Sequence, residues 1–333
     1  MSALFRVAVV GCGAICGNHI TAISEAGQTL CALCDIEHEQ AQRVAVKFGL
    51  GNIPIYTDYQ TLLDTEHPDA VHICTPHDLH APMTVMALEQ NIHVLCEKPL
   101  CISLEQLQAL HVAVNNSKAQ LGVCHQNRYE PNMLRLREMA AGNVKAAFGS
   151  VVWHRDASYY SSAAWRGTWE REGGGVMINQ ALHTLDLMQW ICGCPSYVTA
   201  HVFNDSLQDV IEVEDTASAC FECDNGIRFH FFATNAAIDN LPVQIRVQLR
   251  SGDLIEAQNQ QLCFNHKEVS SYDHIPTVGK AVWGKGHRSL IRDFYSCLEE
   301  GRHFPIDLAE GEKVIRLILA MYMSNGKRVA VPK

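Results

Sequence analysis

The sequence predicts an α/β domain with a parallel sheet, followed by an α+β domain with a mostly antiparallel sheet. Up to residue 124, short apolar runs alternate with amphipathic helical stretches, and the runs lack the alternation of half-exposed strands. This pattern is typical of parallel strands that helices cover on both faces. Beyond it, turn signals such as Asp224-Asn225-Gly226 separate strand-like runs, which favours hairpins. We therefore place a first domain at residues 1–124 and a second at residues 125–333.

The individual elements follow these two patterns in order along the chain. The first domain is predicted to have strands at 5–10, 29–34, 70–74, 92–96 and 119–123, with helices at 37–48, 82–90 and 104–115. The second is predicted to have helices at 131–141 and 176–191, a long strand at 148–160, strands between 197 and 269, and closing helices at 289–300 and 309–324.

Composition restricts the class of protein. The 333 residues are 47% hydrophobic and 19% charged with a net charge of −10, which is ordinary for a globular protein. No basic patch is evident, so we expect neither nucleic acid nor an anionic membrane surface as a partner. The amino terminus runs straight into a predicted strand and no apolar run reaches about 18 residues, so we expect a cytoplasmic protein.

Two Cys-x-x-Cys pairs invite a metal-site interpretation, Cys31/Cys34 and Cys220/Cys223. Both pairs lie in strand-like runs, where residues three apart point to opposite faces of the sheet. A zinc site needs convergent ligands. We therefore interpret these side chains as buried thiols and predict no metal.

A glycine-rich turn follows the first predicted strand and precedes a helix. In Gly11-Cys12-Gly13-Ala14-Ile15, the first glycine permits the tight turn and the second lets a pyrophosphate approach the backbone. Asp35 ends the second strand, where a carboxylate can accept hydrogen bonds from ribose hydroxyls and would repel a 2′-phosphate. The pattern predicts a dinucleotide site and favours NAD over NADP. Asp35 could also act as a helix N-cap.

Lys98 ends another buried strand, in Glu97-Lys98-Pro99. Ligands of open α/β sheets bind at the carboxyl ends of strands, and a partly desolvated lysine there can exchange a proton. The alternative is a surface lysine in a turn.

Glu97-Lys98-Pro99 resembles the motif of the glucose–fructose oxidoreductase / inositol dehydrogenase / MocA family. The segments at residues 73–80, 165–169 and 173–186 match that family in order and spacing, so the resemblance spans nearly the whole chain. It implies a Rossmann domain, an open C-terminal sheet that often forms the oligomer interface, and a proline that is commonly cis. It also implies a nicotinamide-dependent oxidoreductase acting on one carbon of a sugar, sugar nucleotide or inositol, as a homodimer or homotetramer.

One position departs from the family pattern. Many members have aspartate four residues before the signature histidine His183, whereas this chain has Asn179. Asparagine cannot take a proton, so proton transfer is expected to fall on Lys98 and His183. Residues four apart on a helix share a face, which predicts that Asn179 and His183 act together, and Asp186 could orient the histidine ring.

The expected site residues come from the residue patterns and from the family resemblance. Cofactor contacts are expected at Gly11, Gly13, Ala14, Ile15, Asp35, Thr75, Pro76, His80, Glu97, Lys98, Trp165 and Arg166, the last seven by resemblance. Substrate contacts are expected at Lys98, Asn127, Tyr159, Asn179 and His183, with Arg128, Tyr160 and His287 as further candidates that could equally be structural.

The hypothesis is hydride transfer between a secondary alcohol of a sugar, glycoside or inositol and the nicotinamide, with Lys98 and His183 handling the proton. Two alternatives remain open. One is redox-neutral cleavage or exchange at a sugar with a tightly held cofactor. The other is a nucleotide-binding regulator on the same fold, against which the pair of proton-transfer groups argues.

Overall fold

The computed structural model describes residues 4–258, 261–271 and 286–332, which form two compact units. The first unit contains residues 4–129 and 286–312, and the second contains residues 130–258, 261–271 and 313–332. No helix within these ranges is both long and apolar enough to cross a membrane. The cytoplasmic location stays a prediction.

The first unit is built on a parallel sheet of six strands in the order β3-β2-β1-β4-β5-β6. Strands β1, β4 and β5 are buried almost throughout, which explains their continuous apolar character. The strands are β1 (Arg6–Val10), β2 (Thr29–Cys34), β3 (Ile55–Tyr56), β4 (Ala70–Ile73), β5 (His93–Cys96) and β6 (Leu121–Val123). The helices are α1 (Cys16–Glu25), α2 (His38–Lys47), α3 (Tyr59–Glu66), α4 (His77–Glu89) and α5 (Leu104–Asn116), and a 3-10 turn covers Gln126–Tyr129.

The second unit is built on a nine-stranded sheet in the order β14-β13-β12-β11-β7-β10-β9-β8-β15. Only the β7–β10 pair is parallel among these described strands. The strands are β7 (Val144–Val152), β8 (Pro195–Phe203), β9 (Thr216–Cys223), β10 (Arg228–Thr234), β11 (Gln244–Leu249), β12 (Leu254–Gln258), β13 (Gln261–Phe264), β14 (Lys267–Ser271) and β15 (Val329–Ala330). The remaining helices in the described part of the chain are α6 (Pro131–Ala140), α7 (Ala157–Ser161), α8 (Leu182–Cys192), α9 (Gly286–Glu300) and α10 (Leu308–Ser324).

The predicted fold class is confirmed, and several elements differ from their predictions. Helix α4 begins at His77 and not at residue 82, and β3 and α3 were not predicted. The strand predicted over residues 148–160 ends at Val152, because Asp156 accepts a hydrogen bond from the backbone N–H of Tyr159 (3.0 Å) and caps helix α7. The helix predicted over residues 176–191 begins with a π-helical turn, Met177–Ala181, which a 3.6-residue periodicity does not reveal.

The division into units also differs from the linear domain prediction. Helix α9 lies in the first unit, although residues 125–333 were predicted to form one domain. Its side chains reach the parallel sheet: Tyr295 contacts His72 on β4 (2.8 Å) and His287 contacts Glu97 after β5 (2.9 Å). Contacts so far apart in sequence leave no local signal.

Candidate functional site

The glycine-rich turn lies between β1 and α1, at the point where the strand order reverses from β1 to β4. Gly11 has φ +88°, and a Cβ atom there would lie 2.5 Å from the carbonyl oxygen of Cys74. Gly13 is exposed, and a Cβ atom there would meet nothing within 4 Å. Gly11 is therefore required by the fold, whereas Gly13 leaves open space at the start of the helix. That space fits a dinucleotide phosphate, which would bind the backbone at a helix N-terminus.

Asp35 is held against this turn rather than capping the next helix. One carboxylate oxygen accepts the backbone N–H of Cys12 (2.8 Å) and the other accepts that of Glu37 (2.9 Å). Helix α2 begins at His38 with no side-chain cap, so the N-cap interpretation of Asp35 is not what the structure shows. A carboxylate oxygen can accept more than one hydrogen bond, so Asp35 retains capacity for ribose hydroxyls.

The segment after β4 packs against the segment after β5 through His80. Thr75 and Pro76 are half-buried, and Pro76 precedes helix α4. The ring nitrogens of His80 lie 2.8 Å from the carbonyl oxygen of Thr75 and 2.6 Å from that of Pro99. His80 is 1% exposed, and its ring joins two strand ends. These contacts give His80 a structural role; its cofactor contact stays a prediction.

The Glu97-Lys98-Pro99 segment directly follows β5. Lys98 is half-buried, and the peptide bond between Lys98 and Pro99 is cis. Glu97 is buried, and its carboxylate contacts the Nε2 atoms of His19 (3.0 Å) and His287 (2.9 Å). The expected cofactor contact of Glu97 stays a prediction, but the contacts in the structure are with these histidines.

In the second unit, Tyr159 is the centre of a polar cluster. Its hydroxyl accepts hydrogen bonds from Arg166 (2.5 Å) and from the side-chain amide of Gln180 (2.9 Å), and the Asn179 amide lies 3.5 Å away. The Arg166 guanidinium also stacks over the rings of Tyr159 and Trp165. Four of the predicted site residues are therefore brought together by this cluster. Arg166 is therefore engaged in hydrogen bonding and stacking within the cluster, which differs from a simple surface salt bridge.

The π-helical turn carries Asn179, and helix α8 carries His183. In this continuously described stretch from Glu172 to Gln189, every residue is buried except Asn179 and His183. The two polar side chains are thus the half-buried positions of an otherwise buried stretch. The shared face inferred from their spacing stays a prediction. Asp186 is buried, with its carboxylate 3.5 Å from the Gln189 amide.

The glycines before this helix are explained by contacts within the protein. A Cβ atom on Gly175 would collide with the carbonyl oxygen of Glu214, and one on Gly174 would collide with the Tyr322 hydroxyl. The Glu214 carboxylate accepts the backbone N–H groups of Gly175 (2.9 Å) and Met177 (3.0 Å). These contacts within the protein explain why both positions are glycine.

Glu172 is a site residue that the sequence did not reveal. Its buried carboxylate accepts hydrogen bonds from the Asn179 side-chain amide and from the backbone N–H of Gly167 (2.5 Å). A glutamate between arginine and glycine is unremarkable in sequence. Because Glu172 lies in a turn before the helical segment, its spacing to Asn179 carries no helical periodicity that could have found it.

Other candidates have structural surroundings. Tyr160 is 5% exposed and packs with Ile211 and Val213, and the buried Arg128 forms an ion pair with the half-buried Glu310 (2.9 Å). Asn127 is half-buried on the 3-10 turn, and its substrate contact stays a prediction.

All fourteen cysteines lie within the described ranges and are free thiols. Burial raises the pKa of Cys34 and of Cys223 to about 12 each. His19, Glu97 and His287 are close enough to one another to hold a metal ion, although direct hydrogen bonds also explain their spacing. The absence of a metal stays a prediction.

Comparison with known proteins agrees with this architecture. The sequence model of a protein family described as an oxidoreductase family with an NAD-binding Rossmann fold matches residues 5–125. The family model of the GFO/IDH/MocA C-terminal domain matches residues 135–255. The structure is similar to that of the WlbA dehydrogenase from Bordetella pertussis in complex with NADH and UDP-GlcNAcA. The TM-score is 0.86, with 26% identity over 99% of this chain and 100% of that chain.

Two of three curated relatives match over shorter stretches. D-glucoside 3-dehydrogenase of Escherichia coli K12 is 31% identical over 209 residues, which are 61% of this chain and 58% of that protein. D-apiose dehydrogenase of Paraburkholderia graminis is 24% identical over 96% of this chain and 87% of that protein. The chain spans 58% of the first relative and 51% of 1,5-anhydro-D-fructose reductase from Ensifer adhaerens, which is 27% identical over the matched residues. Because matches to the two family domains lie in both structural units, the chain belongs to the Gfo/Idh/MocA oxidoreductase family.

Proposed function

We propose that this chain is an NAD-dependent dehydrogenase that interconverts a secondary alcohol and a ketone on a sugar, glycoside or cyclitol. The observation that carries the proposal is the carboxyl edge of the parallel sheet. There the open turn at Gly13, the carboxylate of Asp35 and the half-buried Lys98 follow strands β1, β2 and β5. This edge is where ligands of open α/β sheets bind.

The substrate class is supported by the relatives. By their names, they act on D-glucosides, D-apiose and 1,5-anhydro-D-fructose, all of which carry several hydroxyl groups. The cluster around Tyr159 offers an aromatic ring, a guanidinium and amide groups, which suit a polyhydroxylated ligand. We propose that Asn179 and Tyr159 contact the substrate.

NAD, when bound, supplies the hydride acceptor. In the oxidation, the neutral Nζ atom of Lys98 accepts the proton of the reacting hydroxyl, and the positive charge that forms there favours the developing alkoxide; in the reduction, the same proton returns to the carbonyl oxygen. His183 relays that proton. Asn179 carries no proton to exchange, so its amide orients hydroxyl groups.

Preference for NAD over NADP rests on Asp35. Its carboxylate, fixed by Cys12 and Glu37, would face the adenosine ribose and repel a 2′-phosphate. Arg43 is a competing feature on α2, where it bonds Gln40, whose amide in turn contacts the carbonyl oxygen of Cys12. Arg43 is exposed, whereas Asp35 is held in place, and for that reason we favour NAD.

Self-association is proposed through the nine-stranded sheet. Phe148 on β7 and Phe232 on β10 lie on adjacent strands and are 39% and 37% exposed. Large apolar side chains on a sheet face favour burial against another surface. Analytical ultracentrifugation of the wild type and of Phe232→Lys tests this, because the proposal requires a dimer or tetramer that the variant weakens.

The test of the function is a screen of sugars, glycosides and inositols with NAD, following NADH absorbance. The proposal expects at least one ring alcohol to give steady NADH release that depends on both reactants. Turnover with no NADH release and a cofactor that never exchanges would favour the redox-neutral alternative. Tight NAD binding with no turnover on any compound would favour the regulator.

A further inference from the structure

In the first unit, a hydrogen-bonded chain of buried side chains extends from Tyr295 through His72 and His19 to Glu97. Tyr295 contacts His72 (OH to Nε2, 2.8 Å), His72 contacts His19 (Nδ1 to Nδ1, 2.9 Å), and His19 contacts Glu97 (Nε2 to Oε1, 3.0 Å). The two histidines and the tyrosine are at most 1% exposed, and Glu97 is 6% exposed. Burying these four polar groups costs free energy of folding unless every hydrogen-bond donor meets an acceptor.

One arrangement of hydrogens satisfies the whole chain. Burial by itself raises the pKa of Glu97, but hydrogen bonds from His19 and His287 outweigh it and hold the pKa well below its usual range. The carboxylate is therefore ionised and only accepts. His19 then carries its hydrogen on Nε2 and accepts on Nδ1.

The same logic fixes the next two members. His72 must donate from Nδ1 to His19, so its Nε2 accepts, and Tyr295 must donate to it. Burial lowers the pKa of both His19 and His72 and raises that of Tyr295, which keeps all three neutral as this arrangement requires. The chain thus points every hydrogen toward Glu97.

The other carboxylate oxygen of Glu97 accepts the backbone N–H of Lys98 (3.2 Å). The two carboxylate oxygens of Glu97 therefore have different partners. One is fixed by the hydrogen-bonded chain and by His287 (2.9 Å), and the other accepts the backbone N–H of Lys98, the residue proposed to move the proton. A carboxylate that rotated about its side chain would release that backbone contact.

We propose that His19, His72 and Tyr295 are positioning residues that fix Glu97 and, through its contact with the Lys98 backbone, the placement of Lys98. The inference rests on the proposed role of Lys98. It gives a positioning role to His19 on α1, His72 on β4 and Tyr295 on α9, which are not among the site residues expected from the sequence.

The experiment compares a disruptive and a conservative change at the same position. His19→Leu removes both hydrogen-bonding atoms, whereas His19→Gln keeps one donor and one acceptor. Tyr295→Phe removes only the terminal donor. Tyr59→Phe is the matched control, because Tyr59 is a buried tyrosine of the same unit whose hydroxyl contacts a backbone carbonyl (Met83, 3.1 Å).

His19→Leu and Tyr295→Phe are expected to lower kcat roughly 10- to 100-fold with the KM for NAD retained. His19→Gln should recover most of that loss, and Tyr59→Phe should stay near the wild type. A readout independent of turnover is the NMR titration of Lys98 after reductive ¹³C-methylation, assigned with Lys98→Met. Its pKa should move in His19→Leu and Tyr295→Phe and stay in Tyr59→Phe.

Nitrogen-15 NMR spectra of the histidine rings test the inferred positions of the hydrogens in this hydrogen-bonded chain. The inference requires hydrogen on Nε2 of His19 and on Nδ1 of His72. The opposite tautomers, or stoichiometric zinc in the purified protein, would overturn it, as would equal losses of kcat in Tyr295→Phe and Tyr59→Phe. A wild type that oxidises no sugar would defeat the proposed function, while the lysine and histidine spectra would still decide the positioning chain.

Discussion

The side-chain amide of Asn179 donates a hydrogen bond to the carboxylate of Glu172, seven residues earlier in the chain. This contact fixes which way the amide faces, because its nitrogen is directed at a buried acceptor. The substrate contact proposed for Asn179 would then use its carbonyl oxygen. The carboxylate that many family members have at position 179 is absent, but a buried carboxylate lies directly beside it.

Asn179→Asp should therefore be poorly tolerated, since it brings two carboxylates into contact. We expect lower thermal stability and lower kcat/KM above neutral pH, where both groups would be charged. The double variant Glu172→Gln/Asn179→Asp restores a donor–acceptor pair with the roles exchanged. Thermal unfolding and kcat/KM of the three proteins decide this, and a double variant no better than Asn179→Asp contradicts it.

Two glycines of the turn should separate folding from cofactor binding. Gly11→Ala places a Cβ atom 2.5 Å from the Cys74 carbonyl oxygen at φ +88°, so we expect loss of folded protein. Gly13→Ala meets open space, so its melting temperature should match the wild type. Its dissociation constant for NADH should nevertheless rise about tenfold or more, because the methyl group occupies the approach to the pyrophosphate. Unchanged NADH affinity in Gly13→Ala would remove the turn from the binding site.

Asp35 should determine the cofactor preference. The wild type is expected to bind NADH more tightly than NADPH, and Asp35→Ser should lose about tenfold in NADH affinity while gaining in NADPH affinity. Arg43→Ala is the matched control on the neighbouring helix and should leave NADH affinity near that of the wild type. Fluorescence titrations measure all three, and tighter NADPH binding by the wild type would reverse the assignment.

Glu214 should make the stability of the protein depend on pH. Burial raises the pKa of Glu214 to about 7, although hydrogen bonds from Met177, Gly175 and Tyr322 oppose the change. The folded state then holds the proton more tightly than the unfolded state, whose value is near 4.5. This contribution is complete below the unfolded pKa and is lost as the pH rises toward 7.

The free energy of unfolding is therefore expected to fall by up to about 3 kcal/mol through this group between about pH 5 and pH 8. Glu214→Gln should flatten that part of the profile. Urea unfolding of both proteins at each pH measures the difference in slope. Parallel profiles would show that the hydrogen bonds keep Glu214 ionised throughout.

The parts of the site that the sequence predicted are those whose signals are local. Gly11, Asp35 and Lys98 each follow a predicted strand, so the rule that ligands meet strand ends was enough to associate them. The Rossmann unit and the antiparallel sheet were confirmed for the same reason, because strand and helix periodicities are short-range patterns.

What the sequence could not predict depends on distant pairings. Tyr295 and His72 are 223 residues apart, and no pattern links them. Gly174 and Gly175 are required because Tyr322 and the Glu214 backbone, both distant in sequence, occupy the space beside them. Helix α9 was assigned to the second domain because chain order alone cannot show which sheet it covers.

The central claim is that Lys98 exchanges the proton in an NAD-dependent oxidation of a sugar alcohol. The most direct measurement is the single-turnover rate of NADH formation by Lys98→Met beside the wild type, on a substrate found in the screen. We expect a loss of roughly 10²- to 10⁴-fold with NADH affinity unchanged. A Lys98→Met enzyme that forms NADH at nearly the wild-type rate would contradict it.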